Sequence, residues 1–215
     1  MMKQIKGKLA VTSVLIALPI LVGLVLWNRL PEQLATHWGM NGEVDGWSSK
    51  PFAVFGLPLF LLAMHWLCLL VTAKDPGNRG QNEKLYSLVL WICPILSLFV
   101  SGVIYANALG QNVNVGMVAM LLVGVMFIII GNYLPKCKKN RTIGIRVKWT
   151  LENEANWNAT HRLGGKLWFA GGVLLVASAF LPERITPVVL FVLLPVLVLV
   201  PILYSYTYYK KQIGH

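Results

Sequence analysis

Eight acidic side chains and four histidines are the groups in this sequence that could perform acid–base or metal chemistry. The acidic residues all lie in polar segments between long apolar stretches, and they are Glu32, Glu43, Asp45, Asp75, Glu83, Glu152, Glu154 and Glu183. A membrane enzyme or a proton-coupled transporter needs carboxylates at membrane depth, and this chain provides none there. The motifs HExxH, GxSxG and the P-loop do not occur. The sequence therefore predicts a protein without catalytic residues.

No metal site and no cofactor are predicted. Cys137, His161 and the nearby glutamates share one polar segment, but their spacing does not match the ligand patterns of zinc sites. Cys68, Cys93 and Cys137 have no CxxC spacing, so we expect free thiols that pack in the interior. His65 lies within an apolar stretch, where an ionisable residue can indicate function. A neutral imidazole that hydrogen-bonds a neighbouring helix is the simpler interpretation of His65.

The segments between which these residues lie have the composition of membrane spans. The chain has 215 residues, of which 56% are hydrophobic and 13% are charged, and this is too apolar for a soluble domain. A helix needs roughly 20 apolar residues to cross ~30 Å of hydrocarbon. Six stretches reach or approach that length: 9–28, 52–72, 85–107, 113–134, 167–182 and 185–207. The sequence thus predicts an all-α, polytopic membrane helix bundle with six transmembrane helices and a single integral-membrane domain, residues 1–215.

The distribution of Lys and Arg predicts the orientation of this bundle. Sixteen of the 19 basic residues lie at the two termini or in the second and fourth connections between the stretches, and three lie in the other connections. Cytoplasmic loops carry the excess of Lys and Arg. Both termini and residues 135–166 are therefore predicted to be cytoplasmic. Loops facing anionic lipids explain the net charge of +11, so direct nucleic-acid binding is not predicted.

Residues 30–51 form the one sizeable connection predicted on the outer side. Its turn-forming residues, Gly39, Asn41, Gly42 and Gly46, favour a folded-back loop rather than a helix. His37, Trp38 and Trp47 have amphipathic rings suited to the lipid headgroup level. Two interpretations stay open, namely an interfacial hairpin that caps the bundle and a contact surface on the outer face.

Residues 135–166 form a basic cytoplasmic loop that carries eight of the 19 Lys and Arg residues. Apolar and polar or basic side chains alternate over residues 143–149, which predicts an extended piece with one apolar and one basic side. Thr150 is predicted to cap a helix that follows. One side of that helix is expected to carry Glu154, Trp157, Asn158 and His161. The basic side chains either dock on anionic lipids or form a shaped surface for a protein partner or for the base of the bundle itself. The short connection 74–80 is expected to be a solvated turn.

Two sequence signatures carry a family resemblance. The outer-loop signature contains LP, HWGMNGEVDG and SKP between Leu30 and Pro51. The second runs from Gly131 to Gly165 and contains GN, KN, GIR, WTL, Trp157 and HR. Together with the six-helix layout they resemble the bacterial SdpI family of integral-membrane immunity proteins against the sporulation-delaying toxin peptide. The resemblance implies a non-enzymatic plasma-membrane protein that protects a cell from a secreted, membrane-disrupting peptide. In the best-known family member the protein also holds a transcriptional repressor at the membrane.

We expect two sites. The outer loop would meet the toxin peptide through His37, Trp38, Asn41, Gly42, Trp47 and Lys50. The cytoplasmic loop would signal to a repressor through Asn140, Arg141, Gly144, Arg146, Trp149, Trp157, His161 and Arg162. The alternative function is a small-molecule-binding membrane subunit of a transporter, which the size and the six helices permit. Transport needs a polar cavity between spans, and for this the chain supplies only His65, Asn107 and a few Ser and Thr side chains.

Overall fold

The computed structural model describes residues 2–39, 42–78, 81, 83–182 and 185–213. The helices are α1 (Met2–Val25), α2 (Leu57–Lys74), α3 (Glu83–Ala108), α4 (Val115–Tyr133), α5 (Lys148–Glu152), α6 (Glu154–Ser178) and α7 (Thr186–Ile213), and the strands are β1 (Gln33–Trp38) and β2 (Val44–Ser49). A π-helical turn, Phe52–Gly56, precedes α2, and short 3-10 turns cover Trp27–Arg29, Pro76–Asn78 and Leu134–Lys136. The chain forms two compact units, Met1–Val71 with Tyr86–Val115 and Thr72–Leu85 with Gly116–His215.

Five helices among the described residues are long and apolar enough to cross a membrane: Gly7–Val25, Phe52–Lys74, Glu83–Ala108, Val115–Lys136 and Val188–Gln212. The fold is that of a polytopic helical membrane protein. The predicted span 167–182 does not form a separate helix, because residues 167–178 are the second half of α6. That half rises about 18 Å at 1.5 Å per residue, which is less than the hydrocarbon thickness. The first half of α6 is polar, so the helix as a whole does not qualify with the other five.

In the first unit, the segment after α1, strand β1, the π-helical turn before α2 and the C-terminal end of α3 pack together in one apolar cluster. The cluster consists of Leu30, Leu34, Ala53, Val54, Ile104 and Tyr105. A buried hydroxyl links two helices of this unit, since Ser97 Oγ of α3 donates to the Ile16 carbonyl of α1 over 2.8 Å. His65 Nε2 lies 3.0 Å from Thr12 Oγ1 of α1. The prediction that His65 hydrogen-bonds a neighbouring helix is therefore confirmed.

The second unit contains α4 to α7, and glycines let its helices pack closely. A Cβ atom added at Gly165 would lie 2.7 Å from the Gly131 carbonyl oxygen of α4, and one at Gly172 would lie 2.6 Å from that of Gly124. Small residues at such positions allow two helix backbones to approach each other. On the other side of α6, Trp168 Nε1 donates to the Leu197 carbonyl of α7 over 3.1 Å.

The three cysteines are free thiols, as predicted, but they are not all packed in the interior. Cys137 is buried, Cys93 is half-buried and Cys68 is exposed on α2. The exposure of Cys68 corrects the expectation for that residue. A thiol on the outer face of an apolar helix behaves as a small apolar side chain, so it suits a lipid-facing position as well as a buried one.

The predicted alternation in the basic loop is visible as burial, although its secondary structure differs from the prediction. Ile143, Ile145, Val147 and Trp149 are half-buried, and the residues between them are exposed. Residues 143–147 nevertheless form no strand, and 148–149 already belong to the short helix α5. The segment therefore has the predicted apolar side and exposed side, but it does not pair with another strand.

The predicted helix cap is wrong. Thr150 lies inside α5, and its hydroxyl accepts from the Val147 N–H over 3.1 Å. Asn153 caps α6 instead, and its side chain accepts from the Asn156 N–H over 2.9 Å. Both residue types suit an N-cap, so tertiary contacts decide between them.

The four residues predicted on one side of a helix, Glu154, Trp157, Asn158 and His161, all lie in α6, where their spacing places them on one side. Their burial differs. Trp157 and His161 are fully buried, whereas Glu154 and Asn158 are exposed. Asn156 and Thr160 complete the buried side, and the Thr160 hydroxyl donates to the Asn156 side-chain oxygen over 2.9 Å.

Candidate functional site

The predicted outer loop is an antiparallel β-hairpin, which is the part of the described structure that departs from the predicted all-α class. Gln33 pairs with Ser49 and Trp38 pairs with Val44, with irregular register on both sides of His37. Leu34 is fully buried and anchors the hairpin in the core cluster of the first unit. The chain thus folds back here, as its turn residues predict.

Lys50 is buried at the base of the hairpin and is not part of its exposed surface. It is 5% exposed, and its Nζ donates to Glu32 Oε1 over 2.8 Å and to the Trp27 carbonyl over 3.3 Å. The same ammonium lies 5.2 Å from the centre of the Trp27 ring, within cation–π range. A buried cation needs partners of this kind. Lys50 therefore ties the strand end to the segment that follows α1.

The accessible groups of the hairpin include an aromatic ring and a contacting histidine–aspartate pair. Trp47 is 60% exposed. His37 Nδ1 contacts Asp45 Oδ1 across the two strands, and both side chains are exposed. Trp38 is half-buried and packs against the core cluster. Of the other two predicted contact residues, Gly42 is exposed, and Asn41 lies outside the described residues.

The connection after α2 is not the solvated turn that the sequence predicts. Asp75 is 8% exposed, and its carboxylate accepts from the Arg141 N–H over 2.7 Å, the Gly77 N–H over 2.9 Å and the Thr142 hydroxyl over 3.1 Å. Burial alone would raise the pKa of Asp75, but these hydrogen bonds and the nearby Arg141 charge outweigh it and lower the pKa. Asn78 is also buried and donates to Thr142 Oγ1 over 2.6 Å. The turn is thus a folded support for the basic loop.

Asn140 closes the basic loop on itself. Its side-chain oxygen accepts from the backbone N–H groups of Thr142 and Ile143, and its side-chain nitrogen donates to the Ile143 carbonyl over 3.0 Å. Cys137 is buried beneath this turn. Burial raises the pKa of the Cys137 thiol to about 11, even though hydrogen bonds from Asn140 and Gln81 oppose the shift. The thiol is therefore protonated and unreactive at neutral pH.

Trp157 and His161 form the buried floor under the loop. Their rings stack with centroids 4.0 Å apart, and Trp157 Nε1 donates to the Cys137 carbonyl over 2.7 Å. His161 Nδ1 donates to the Trp157 carbonyl over 2.8 Å, and His161 Nε2 accepts from the Ile145 N–H over 3.0 Å. These two bonds fix one neutral tautomer. Burial lowers the pKa of His161 to about 4, against a smaller opposite effect of the Trp157 carbonyl.

Gly144 allows the loop to reach this floor. Its φ is +109°, a region that residues with a Cβ rarely adopt. A Cβ atom at this position would also collide with His161 Nε2. Gly144 is therefore required twice, once by the backbone conformation and once by the close approach to the imidazole.

The predicted signalling side chains that are not buried are Arg141, Arg146, Arg162 and Trp149, and we call these four residues the basic face. The three arginines are exposed. The Arg146 guanidinium donates to the Arg141 carbonyl over 2.7 Å, which holds one arginine over the backbone of the other. Trp149 is half-buried, with its ring 4.9 Å from Tyr206 and 6.3 Å from Tyr209 of α7. The predicted signalling residues thus divide into a buried scaffold and an exposed basic face.

Within the described residues, no group of three His, Cys, Asp or Glu side chains is close enough to hold a metal ion. Burial keeps His161 neutral, with both ring nitrogens in hydrogen bonds, and keeps the Cys137 thiol protonated.

The sequence analysis did not identify the supports of the basic loop, Asp75, Asn78 and Gln81. Gln81 donates to the Lys138 carbonyl over 2.6 Å and accepts from the Lys138 N–H over 3.0 Å. One signal was present in the sequence. Asp75 is the one carboxylate in the connection 74–80, and its charge is opposite to that of the basic loop.

Two family models match this chain. Residues 136–205 match the SdpI/YfhL protein family. Residues 14–62 match a domain of unknown function, DUF1648. The immunity protein SdpI of Bacillus subtilis (strain 168) is 27% identical to this chain over 210 residues, which is 95% of this chain and 97% of that protein. The chain is thus similar to the SdpI/YfhL family in residues 136–205 and to the immunity protein SdpI over nearly its full length. It is a multi-pass protein of the bacterial membrane.

The two family models match different units of the structure. Residues 136–205 contain the basic loop, all of α5 and α6, and most of α7, and they lie in the second unit. The residues matched by the other model, 14–62, contain the hairpin and lie in the first unit. No solved structure matches the chain.

Proposed function

We propose that this chain is a membrane immunity protein that protects a bacterial cell from a secreted, membrane-disrupting toxin peptide. The supporting observation is its similarity to the immunity protein SdpI of Bacillus subtilis over nearly the full length of both chains. A non-enzymatic role agrees with a sequence whose carboxylates all lie outside the apolar stretches. Protection would then depend on binding and not on turnover.

In this proposal both termini and the basic loop face the cytoplasm, and the hairpin faces outward. Sixteen of the 19 basic residues fall on one side only if α6 crosses the membrane between the basic loop and α7. The uncharged half of α6, residues 167–178, rises about 18 Å, and the long side chains of Arg162 and Lys166 just before it can extend to the polar region, so the turn that carries them can also enter the membrane.

Cysteine labelling tests this orientation. In a cysteine-free background, Pro182→Cys should react with an impermeant maleimide in intact cells, and Lys139→Cys should react only after the cells are opened. Labelling of Lys139→Cys from outside would reverse the orientation.

The hairpin is the surface on which we place the toxin contact. A peptide that disrupts the membrane from outside has to be intercepted before or during insertion. Trp47 offers an exposed indole, and aromatic anchors of this kind each contribute roughly 2 kcal/mol or more in protein interfaces. His37 and Asp45 offer polar partners on the same hairpin. Lys50 contributes by keeping the hairpin in place.

The test of this contact compares two tryptophans in the same unit. Trp47→Ala should sensitise a host that depends on this chain for protection, at unchanged membrane abundance. Trp66→Ala is the matched control, because Trp66 is 43% exposed on α2 and does not belong to the core cluster that anchors the hairpin. Full protection by Trp47→Ala combined with His37→Ala would show that the hairpin does not meet the toxin.

The basic face is where we place a cytoplasmic partner such as a transcriptional repressor. The Arg146 guanidinium has a planar fork of donors, and a lysine ammonium cannot reproduce its geometry. The triple variant Arg141→Lys, Arg146→Lys and Arg162→Lys keeps the charge and should abolish toxin-dependent transcription while immunity remains. Parent-like transcription in this variant and in Trp149→Leu would show that lipid docking is a sufficient role for the face.

A further inference from the structure

A shallow groove between α6 and α7 has features of a phosphate site. Its volume is about 250 Å³, and its lining residues are Ala159, Arg162, Leu163, Lys166 and Tyr204. Arg162 and Lys166 are four residues apart on α6 and therefore project from the same side of the helix. Ala159 and Leu163 provide an apolar floor, and Tyr204 brings a phenol from α7. The groove thus combines two cations, one neutral donor and an apolar base.

The two cations have no internal counter-ion. In the part of the chain that the structure describes, no ion pair with a carboxylate involves Arg162 or Lys166. Both side chains are exposed at the groove. Like charges four residues apart on a helix repel each other. An anion bound between them removes that repulsion and gains charge-assisted hydrogen bonds.

The position of the groove along the helices favours a lipid as the source of that anion. Lys166 is the last charged residue of α6, and residues 167–178 after it are uncharged. Tyr204 lies within the span Val188–Gln212, about 9 Å along the helix from Lys210. The groove therefore lies where both helices change from polar to apolar composition. A phospholipid changes in the same way along the membrane normal, because its charged headgroup phosphate is followed by apolar acyl chains.

We propose that this groove binds the headgroup phosphate of an anionic phospholipid. Arg162 and Lys166 bind the phosphate oxygens, the Tyr204 hydroxyl donates a further hydrogen bond, and the lipid glycerol and upper acyl chains cover Ala159 and Leu163. The site goes beyond general attraction of basic loops to the leaflet, because it holds a headgroup at one place. It shares Arg162 with the basic face but needs neither the hairpin nor the loop above Trp157.

The experiment is native mass spectrometry of the full chain in detergent with added phosphatidylglycerol or phosphatidylcholine of identical acyl chains. The parent should retain phosphatidylglycerol preferentially. Arg162→Gln with Lys166→Gln should weaken retention about 25-fold, since each basic side chain at an anionic surface contributes about fivefold. Tyr204→Phe keeps the ring and should weaken retention severalfold through loss of one hydrogen bond.

The matched control is Lys138→Gln with Lys139→Gln. It removes the same charge from exposed loop positions and should retain the lipid like the parent. Three results would overturn the proposal. Parent-like retention by the Arg162 and Lys166 double variant would show that the groove does not hold the lipid. Equal loss in the Lys138 and Lys139 control would show a charge effect without a site. Displacement of phosphatidylglycerol by an equal concentration of inorganic phosphate would show that the groove is a site for free phosphate.

Discussion

Replacing Gly144 by alanine should open the basic loop without unfolding the membrane helices. The positive φ of 109° costs a residue with a Cβ about 1–2 kcal/mol. The new methyl group also displaces the His161 imidazole, so the buried N–H of Ile145 loses its acceptor, which costs about 1–3 kcal/mol. The closed loop should therefore be destabilised by about 3 kcal/mol, which corresponds to a roughly 100-fold larger open population.

Cys137 reports this opening directly. The thiol is buried under the loop and protonated when the loop is closed, so maleimide reacts with the open state. With Cys68→Ser and Cys93→Ser in the background, the labelling rate of Cys137 in detergent at pH 8 follows the open population. Gly144→Ala should raise that rate by about two orders of magnitude.

Gly102→Ala is the control for this experiment. A Cβ atom at Gly102 meets nothing within 4 Å, and alanine is a better helix former by about 1 kcal/mol. This variant should label Cys137 at the parent rate. A Gly144→Ala rate within about twofold of the parent would refute the argument, because neither the φ strain nor the contact with His161 would then hold the loop closed.

Three further predictions concern the same unit. The pKa of His161 is about 4 in the folded protein and near 6.5 in the unfolded chain, so its contribution to the free energy of unfolding is complete above pH 6.5. As the pH falls from 6.5 to 4, the free energy of unfolding should decrease by about 3 kcal/mol. His161→Gln should lack this part of the pH dependence in thermal unfolding. Asp75→Ala should remove an acceptor of three hydrogen bonds, destabilise the loop by about 2–3 kcal/mol and accelerate Cys137 labelling, and an unchanged rate would contradict the role of Asp75. Gly131→Leu should separate α4 from α6 and lower the melting temperature in detergent, whereas Gly7→Leu, with open space around it, should not.

Much of the fold follows from local sequence patterns. The predicted spans 52–72 and 85–107 agree closely with Phe52–Lys74 and Glu83–Ala108, because long apolar runs flanked by polar residues have few alternatives. The reversal of the chain in residues 30–51 also follows, since the glycines and the Asn41-Gly42 pair favour it, although the two paired strands depart from the predicted all-α class. These features depend on residues that are close together in the sequence.

The supports of the basic loop could not be predicted in this way. Asp75 accepts from the N–H of Arg141, which is 66 residues further along the chain, so no local pattern reveals the contact. The continuity of α6 was hidden for a related reason. Gly164 and Gly165 weaken a helix by themselves, but close packing of Gly165 against Pro135 and the Gly131 carbonyl makes a small residue necessary there. Tertiary contacts thus override the local preference.

The composition of α6 has a consequence for synthesis of the chain. Its 12 uncharged C-terminal residues follow a polar half that contains Arg162 and Lys166, so hydrophobicity alone gives this segment only a weak tendency to enter the bilayer as it leaves the ribosome. The glycine contacts with α4 and the bond from Trp168 to α7 form only when those helices are already in the bilayer. We therefore expect α6 to insert last, after translation of α7. Chains that have not completed this step would be the form that quality-control proteases degrade.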